Sequence, residues 1–347
     1  MFQTYYVTGA SGFLGRAVVT ELKRRGAEIR ALVMKNDPLA AELPEGISAV
    51  YGNVCDNDSL ERFFAGADGN ACVIHCAGIV SVASHPGERI YQVNAGGTAN
   101  ILRQSEKAGV GKLVYVSSVH AIPEKPKGTA MTEEALFSPE AVRGDYARSK
   151  AMATAMVLDA AGRGLNVSVV FPSGIIGPGD VGKGSITHML QAFLAGRLPV
   201  AVKGGYDFVD VRDVAAGILS CAEKGKPGRG YILSGEYVTV REILKATGEA
   251  LGRRRAVIYL PVRLAKRIAP FYEKRCLRKN EPLYFTPYSV AVLESNGRFD
   301  RSAAAADLGY APRSLQSSIR DTVLWLKERE NGLTQQNSAD KLREEAP

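Results

Sequence analysis

The sequence predicts an α/β protein, a doubly wound parallel sheet with a smaller C-terminal lobe, and three observations carry that expectation. Near the start, glycines fall at three-residue steps between an apolar run and an amphipathic stretch. Strand-like and helix-like segments then alternate as far as residue 171. From Pro172 the alternation breaks and the composition changes.

Residues 4 to 15 read TYYVTGASGFLG. Tyr5, Tyr6 and Val7 form a short buried strand, and Phe13, Leu14, Ala17, Val18 and Leu22 follow at helical spacing. Gly9 permits a sharp turn, Gly12 leaves bare backbone for a pyrophosphate, and Gly15 lets the helix pack close to the sheet. Ser11 and Gly12 open the helix, whose free N–H groups and positive dipole end favour a dianionic phosphate. The expected dinucleotide contacts in this Rossmann-type turn are Gly9, Ser11, Gly12, Phe13, Leu14 and Gly15. Spaced glycines alone also suit a tight turn that binds nothing; the strand before them and the helix after them favour the ligand.

Glu28 to Val33 is the second strand. An acid about 20 residues beyond such glycines binds the ribose 2′-hydroxyl of NAD, whereas this strand runs into Met34 and Lys35. A cation at Lys35 suits a 2′-phosphate, so NADP is favoured, with Asp37 near enough to keep NAD open. Ile47 to Tyr51 is a third strand, after which Asn53 and Val54 are expected beside the adenine, and a helix follows from Asp58 to Phe64. Ala71 to Cys76 is a fourth strand, and small Ala77 and Gly78 at its end let the cofactor approach. His75, inside that strand, reads as a packing residue.

A long helix is expected from Gly87 to Lys107. Gly96 and Gly97 within it cost about 1 kcal/mol each relative to alanine, which implies a close approach by something else. Lys112 to Val116 is the fifth strand, with Ser117 and Ser118 at its carboxyl end. After a Pro, Lys and Gly-rich loop over 123–130, a helix carries Tyr146 and Lys150, four residues apart and so on one face. Asn166 to Phe171 is the sixth strand.

Beyond it, PSGIIGPGD reads as a loop too punctuated for helix or strand, and a short helix runs from Ser185 to Leu194. Residues 207–219 read as a strand and helix returning to the first domain. Tyr231 to Leu233, a helix opened by the capping pair Thr239 and Glu242, and Val257 to Leu260 are assigned to the smaller lobe, as is a helix from Ser314 to Lys327. The expected division is residues 1–172 with 205–224 as the dinucleotide-binding domain and 173–204 with 225–329 as the substrate-binding lobe. Residues 330–347 lose their apolar period and are expected to be disordered.

With 46% apolar and 23% charged residues, the composition is that of an ordinary soluble globular protein. No apolar run approaches the roughly 18 residues that span a bilayer, and no charged leader precedes the first strand, so a cytoplasmic location is expected. Five cysteines without a CxxC pair fit buried reduced thiols, and no metal site is expected. The formal charge of +8 is concentrated in residues 253–279, from Arg253, Arg254 and Arg255 to Lys279. That segment reads as a solvated face, with an anionic substrate or a membrane surface as alternatives. No nucleic-acid motif is present.

A tyrosine and lysine at i and i+4 suit carbonyl and alcohol redox chemistry. A tyrosine pKa near 10 falls toward a useful value beside an ammonium and an oxidised nicotinamide. Tyr146 can then give a proton to a carbonyl oxygen while Ser118 supplies a second hydrogen bond to it. In a chain with 14 tyrosines a chance YxxxK is expected, but the one present lies between the strand of Ser118 and the sixth strand. Ser117 is left to packing or to the cofactor.

These residues carry a resemblance. TGASGFLG, HCAG, YQVNAGGT, VYVSS, YARSK, FPSGIIGPGD and DFVDVRDVA, in that order, resemble the extended short-chain dehydrogenase/reductases of the NAD(P)-dependent epimerase/dehydratase family over about residues 3–328. The dihydroflavonol 4-reductase and 3β-hydroxysteroid dehydrogenase-like branch is the most similar. The resemblance implies that Asn94 helps place the catalytic lysine and that Pro172 and Ile175 border the nicotinamide. Nucleotide-sugar epimerases commonly carry Asn in place of Ser173 and a diphosphate-gripping Arg in place of Tyr206, and both departures point away from sugar nucleotides. NADP members of the branch often carry Arg where this chain has Met34, which leaves Lys35 to act alone.

The implied activity is hydride transfer between nicotinamide and a carbonyl or secondary alcohol of a small, largely apolar substrate, with Tyr146 as general acid or base. The alternatives are a nucleotide-sugar epimerase or dehydratase with tightly held NAD, and a dinucleotide-binding sensor without catalysis. The helix of Tyr146 is apolar nearly all round, with Met152 and Met156 among its outward residues. Family members cover that side by pairing helices of two subunits, so a homodimer is expected, unless the loop of residues 123–139 folds back over it.

Overall fold

In a computed structural model, which describes residues 2–344 other than 85, 135, 183, 254, 280, 282 and 284, with side chains to residue 331, seven strands form the central sheet. They are β1 (Thr4–Thr8), β2 (Glu28–Val33), β3 (Ser48–Tyr51), β4 (Ala71–His75), β5 (Lys112–Val116), β6 (Val167–Pro172) and β10 (Gly230–Leu233). Their order is β10-β6-β5-β4-β1-β2-β3, all parallel. The order reverses between β1 and β4, as in a doubly wound sheet.

One face is covered by α1 (Phe13–Arg24) and α7 (Val211–Lys224), which bury Val18, Val19, Leu22, Val214 and Ile218 in one core. The other is covered by α2 (Asn57–Phe64), α4 (Thr98–Ala108) and α5 (Asp145–Gly162). There Tyr6 meets the rings of Phe63 and Phe64 at 5.5 and 6.0 Å between centroids. Continuous burial along β4, β5 and β6 accounts for their unbroken apolar sequences, because a sheet covered on both faces has no solvent side.

The segment expected as one helix from Gly87 is a short turn, α3 (Arg89–Tyr91), then a π-helical stretch over Gln92–Gly97 that leads into α4. Gly97 there meets Val54, whose Cγ2 would lie 2.6 Å from a Cβ on residue 97, the expected close approach. Gly96 faces open space.

The remaining elements are β7 (Gly174–Ile176), α6 (Ser185–Leu194), β8 (Val200–Val202), β9 (Gly205–Asp210), β11 (Glu236–Thr239), α8 (Val240–Glu249), β12 (Ile258–Leu260), α9 (Val262–Lys279), α10 (Pro287–Glu294), α11 (Ser302–Leu308) and α12 (Leu315–Glu344). Two small sheets, β11-β9-β7 and β12-β8, stand outside the main one. The capping pair at the start of α8 forms as expected: Glu242 N–H donates to Thr239 Oγ1 and the Glu242 carboxylate accepts from the Thr239 N–H.

Three expectations are corrected. Residues 174–176 form a strand rather than loop, because Gly174 fits beneath Phe208, whose Cδ1 would lie 2.7 Å from a Cβ there. The strand of DFVDV joins β7 and β11 instead of the main sheet, and only its helix, α7, returns to pack on α1. Tyr231–Leu233 belongs to the main sheet, not the smaller lobe. These three side chains are wholly buried, and the strand pairs in register with Val170–Pro172. The backbone of α12 runs to Glu344. Residues 345–347, and Arg254 of the basic segment, lie outside the described residues. Among the cysteines, Cys72, Cys221 and Cys276 are buried, while Cys55 is exposed, against the expectation of burial throughout.

Candidate active site

The carboxyl ends of β1, β4 and β5 meet beside the reversal of strand order, where open α/β sheets place their ligands. Gly9 turns there with φ +66°, and a Cβ on it would lie 2.7 Å from the Ala77 nitrogen. Gly12 caps α1 from an extended conformation, and no side chain caps that helix end. A Cβ at Gly12 would meet only the Gly9 carbonyl, at 3.2 Å. This uncapped helix end, framed by bare backbone, fits a pyrophosphate. Phe13 and Leu14 are half-buried in its first turn.

Ser11 Oγ donates to Asp37 Oδ2 at 2.6 Å, and the same carboxylate accepts from the Leu39 N–H at 2.9 Å. The structure therefore sets Asp37 against the glycine turn, while Lys35 stands exposed two residues before it. Asn53 Oδ1 accepts from the Cys55 N–H at 2.9 Å and so holds its own turn, with Val54 buried beside it. Arg16, which the sequence did not single out, is buried and donates to the Gly179 carbonyl, which joins α1 to the loop after β7.

His75 is wholly buried between Thr8 Oγ1 at 2.7 Å and Thr98 Oγ1 at 3.0 Å. Burial pushes its pKa down to about 3, so it stays a neutral packing residue. Next to it, the Ala77 N–H donates to Thr8 Oγ1 at 3.2 Å, which holds the strand end close to the glycine turn.

Ser118 lies two residues past the end of β5, and Tyr146 lies in the first turn of α5, which follows Gly144 at φ +90°. Burial pushes the Tyr146 pKa up and the nearby Ser118 acts against that push, while Ser118 Oγ accepts from the His120 N–H at 3.2 Å. Lys150, one turn further on, is buried and donates to the Val116 carbonyl at 2.9 Å, with its ammonium 5.2 Å from the centre of the Tyr115 ring. Burial lowers its pKa to about 8. Asn94, in the π-helical stretch, accepts from the Ile79 N–H at 2.7 Å and donates to Ser149 Oγ at 2.9 Å. A Cβ on Gly78 would lie 3.2 Å from Asn94 Oδ1 and 3.3 Å from Lys150 Nζ, so both side chains lie over bare backbone there.

Ser117 Oγ is hydrogen-bonded to Thr154 Oγ1 at 2.7 Å, inside the sheet–helix contact. Pro172 closes β6 opposite Leu233, and Ile175 pairs with Val209 in β7.

A cavity of about 600 Å³ opens beside Tyr146, walled by Val119, His120, Ala147, Tyr206, Tyr288 and Phe299. His120 is central to it. Its ring stacks on Tyr206 at 5.5 Å, stands edge-on to Tyr146 at 5.9 Å, and lies 3.3 Å by Nδ1 from the Tyr288 hydroxyl. Burial pushes its pKa down to about 4, so the ring is neutral at pH 7. Sequence reading missed this cluster. His120, two residues after Ser118, carried a positional hint; Tyr288, 168 residues away, carried none. Lys125, Lys127, Arg143 and Lys266 line the same cavity along with Glu124 and Glu294, and Lys266 pairs with Glu294 and Lys125 with Glu134, so the rim is charged with a cationic excess.

Residues 5–234 match the family model described as "NAD dependent epimerase/dehydratase family". The chain is 33% identical to sterol demethylase protein B of Methylococcus capsulatus over 94% of this chain and 99% of that one. It is 31% identical to a putative dihydroflavonol 4-reductase of Synechocystis over 94% of this chain and 95% of the relative. Among solved structures, that of gox2253 superimposes with a TM-score of 0.80 at 29% identity, covering 95% of this chain and 99% of that one.

Proposed function

Because the chain belongs to the NAD-dependent epimerase/dehydratase family, we propose that it is the oxidoreductase its site is built to be, with Tyr146 passing a proton to or from a substrate oxygen. The observation that carries this reading is the placement of Tyr146 in the first turn of α5, its ring 5.9 Å from that of His120 at the cavity wall, with Ser118 just past β5 and Lys150 one turn further along the helix. When bound, the nicotinamide supplies or accepts the hydride. Burial keeps Tyr146 protonated at neutral pH, the state a proton donor needs. Ser118 gives the same oxygen a second hydrogen bond as charge gathers on it. Lys150 and Asn94 hold this end of α5 against the strand ends.

Gly9, Ser11, Gly12, Phe13, Leu14 and Gly15 hold the dinucleotide in this reading, with Ala77, Gly78, Pro172 and Ile175 along its course. Residues 1–172 with 205–224, now joined by β10, form its binding domain, and the rest to residue 329 the substrate lobe. The apolar walls formed by Val119, Ala147 and Phe299 suit a largely apolar ketone or secondary alcohol. The cationic excess of the rim favours a second reading, a sugar nucleotide epimerised or dehydrated without net redox change. A panel of steroids, flavanonols, simple ketones and sugar nucleotides, followed by NADPH and NADH absorbance, separates the two. Oxidation of the reduced cofactor with an apolar ketone supports the first, and turnover of a sugar nucleotide with no absorbance change overturns it.

For the cofactor, NADP rests on Lys35 and NAD on Asp37, the side chain that the structure draws to Ser11. Lys35→Asp is expected to lower the NADPH to NADH ratio of kcat/KM by roughly tenfold, by repelling a 2′-phosphate. An unchanged ratio would assign the choice to Asp37.

The homodimer reading rests on α5. Ala147, Ala151 and Val157 are buried within the chain, whereas Met152 and Met156 remain only half-buried. The loop that could cover them is turned elsewhere: carbonyls of Lys125, Pro126 and Thr129 accept from Asn296, and Met131 bridges Phe299. A second copy packing α4 and α5 against the same pair would cover the methionines. Light scattering should give twice 37.2 kDa for the native chain and about half that value for Met156→Glu, which sets a charge in the apolar contact. A native mass near 37 kDa would end the dimer reading.

A further inference from the structure

Helix α9 presents two rows of side chains away from the protein. Its inner face is spent: Ala265, Ala269 and Cys276 are buried, and Glu273, the helix's one acid, turns inward to accept from Ser84 N–H at 2.7 Å and Ser84 Oγ at 2.8 Å. Leu264, Ile268 and Phe271 follow at steps of four and three, so they share one outward stripe. They are 43%, 38% and 78% exposed. Arg263, Arg267, Lys274 and Arg278, all exposed, form a second row directly beside that stripe. An apolar row left in water beside a cationic row has a cost with no counterpart inside this chain.

We propose that α9 lies in the headgroup layer of an anionic phospholipid bilayer, with Leu264, Ile268 and Phe271 inserted among the acyl chains and the basic row on the phosphates. The charges select this occupant. A second copy of the chain would set one basic row against another, whereas anionic lipid complements it and takes the apolar stripe as well. Among the described residues no helix is long and apolar enough to cross a membrane, so the contact is one of lying on the surface. The membrane contact itself is independent of what the site turns over.

The full chain is tested by sedimentation with vesicles of phosphatidylglycerol mixed with phosphatidylcholine, and with phosphatidylcholine alone. Binding to the first, little to the second, and release by salt are expected. Phe271→Ser, at a side chain too exposed to support the fold, is expected to weaken binding by roughly tenfold or more. Lys274→Glu with Arg278→Glu should do the same from the electrostatic side. Failure of the native chain to bind the anionic vesicles would overturn the proposal. So would equal binding by Phe271→Ser, which would leave only a basic patch that attracts anions. A fall in mass of Phe271→Ser without lipid would overturn it too, by assigning the stripe to a second copy.

Discussion

Replacing Tyr146 with phenylalanine is expected to lower turnover at least about a hundredfold, some 2.7 kcal/mol of transition-state stabilisation, while dinucleotide affinity stays as it was. The substitution keeps the ring, and with it the edge-on contact to His120 at 5.9 Å, but removes the hydroxyl. The substrate oxygen then loses its proton donor. A loss in kcat without a change in cofactor binding is the signature of an interaction made in the transition state. Turnover within a few fold of the native rate would remove Tyr146 from the reaction.

The second large effect divides the glycine turn into two functions. A Cβ at Gly15 would lie 2.0 Å from the Gly9 carbonyl oxygen and 2.7 Å from its carbon. Both are backbone atoms, so α1 must move off the turn. Gly15→Ala is therefore expected to lower stability by about 3 kcal/mol, the upper range for overpacking. At Gly12 a Cβ has one neighbour, at 3.2 Å, and stands where a phosphate would approach the uncapped end of α1. Gly12→Ala should keep the native melting temperature and weaken dinucleotide binding at least tenfold, about 1.4 kcal/mol. Thermal melts with a binding titration on both variants check this. If Gly12→Ala bound dinucleotide like the native chain, the cradle would lie elsewhere.

The central sheet was legible because its rules are local. β1 to β6 announce themselves as short runs bounded by glycine or polar turns, and those buried on both faces, β4 to β6, leave no ambiguity of side. Tyr146 and Lys150 were legible as a pair because helical periodicity sets them one turn apart, and Ser118 because it stands just past the preceding strand. By contrast, β7 was unreadable: Gly174, Ile175 and Ile176 sit among Gly and Pro, and only the ring of Phe208 above Gly174 explains why a strand forms there. β10 was read as a strand but assigned to the wrong sheet, since Tyr231, Ile232 and Leu233 carry no sign of which neighbour they pair with.

Sequence by itself determined the order of strands and helices, the glycine turn and the one YxxxK pair, since each depends on the spacing of residues close along the chain. Only the tertiary structure decided which distant groups face one another. It brought Asp37 rather than Lys35 to Ser11, closed His120 between Tyr206 and Tyr288 beside Tyr146, and turned Glu273 inward so that α9 shows solvent only cations and apolar side chains. The physical reason is common to all three. A carboxylate, an imidazole and an apolar stripe each acquire a role from what surrounds them, and those surroundings come from segments whose separation in sequence says nothing of their distance in space.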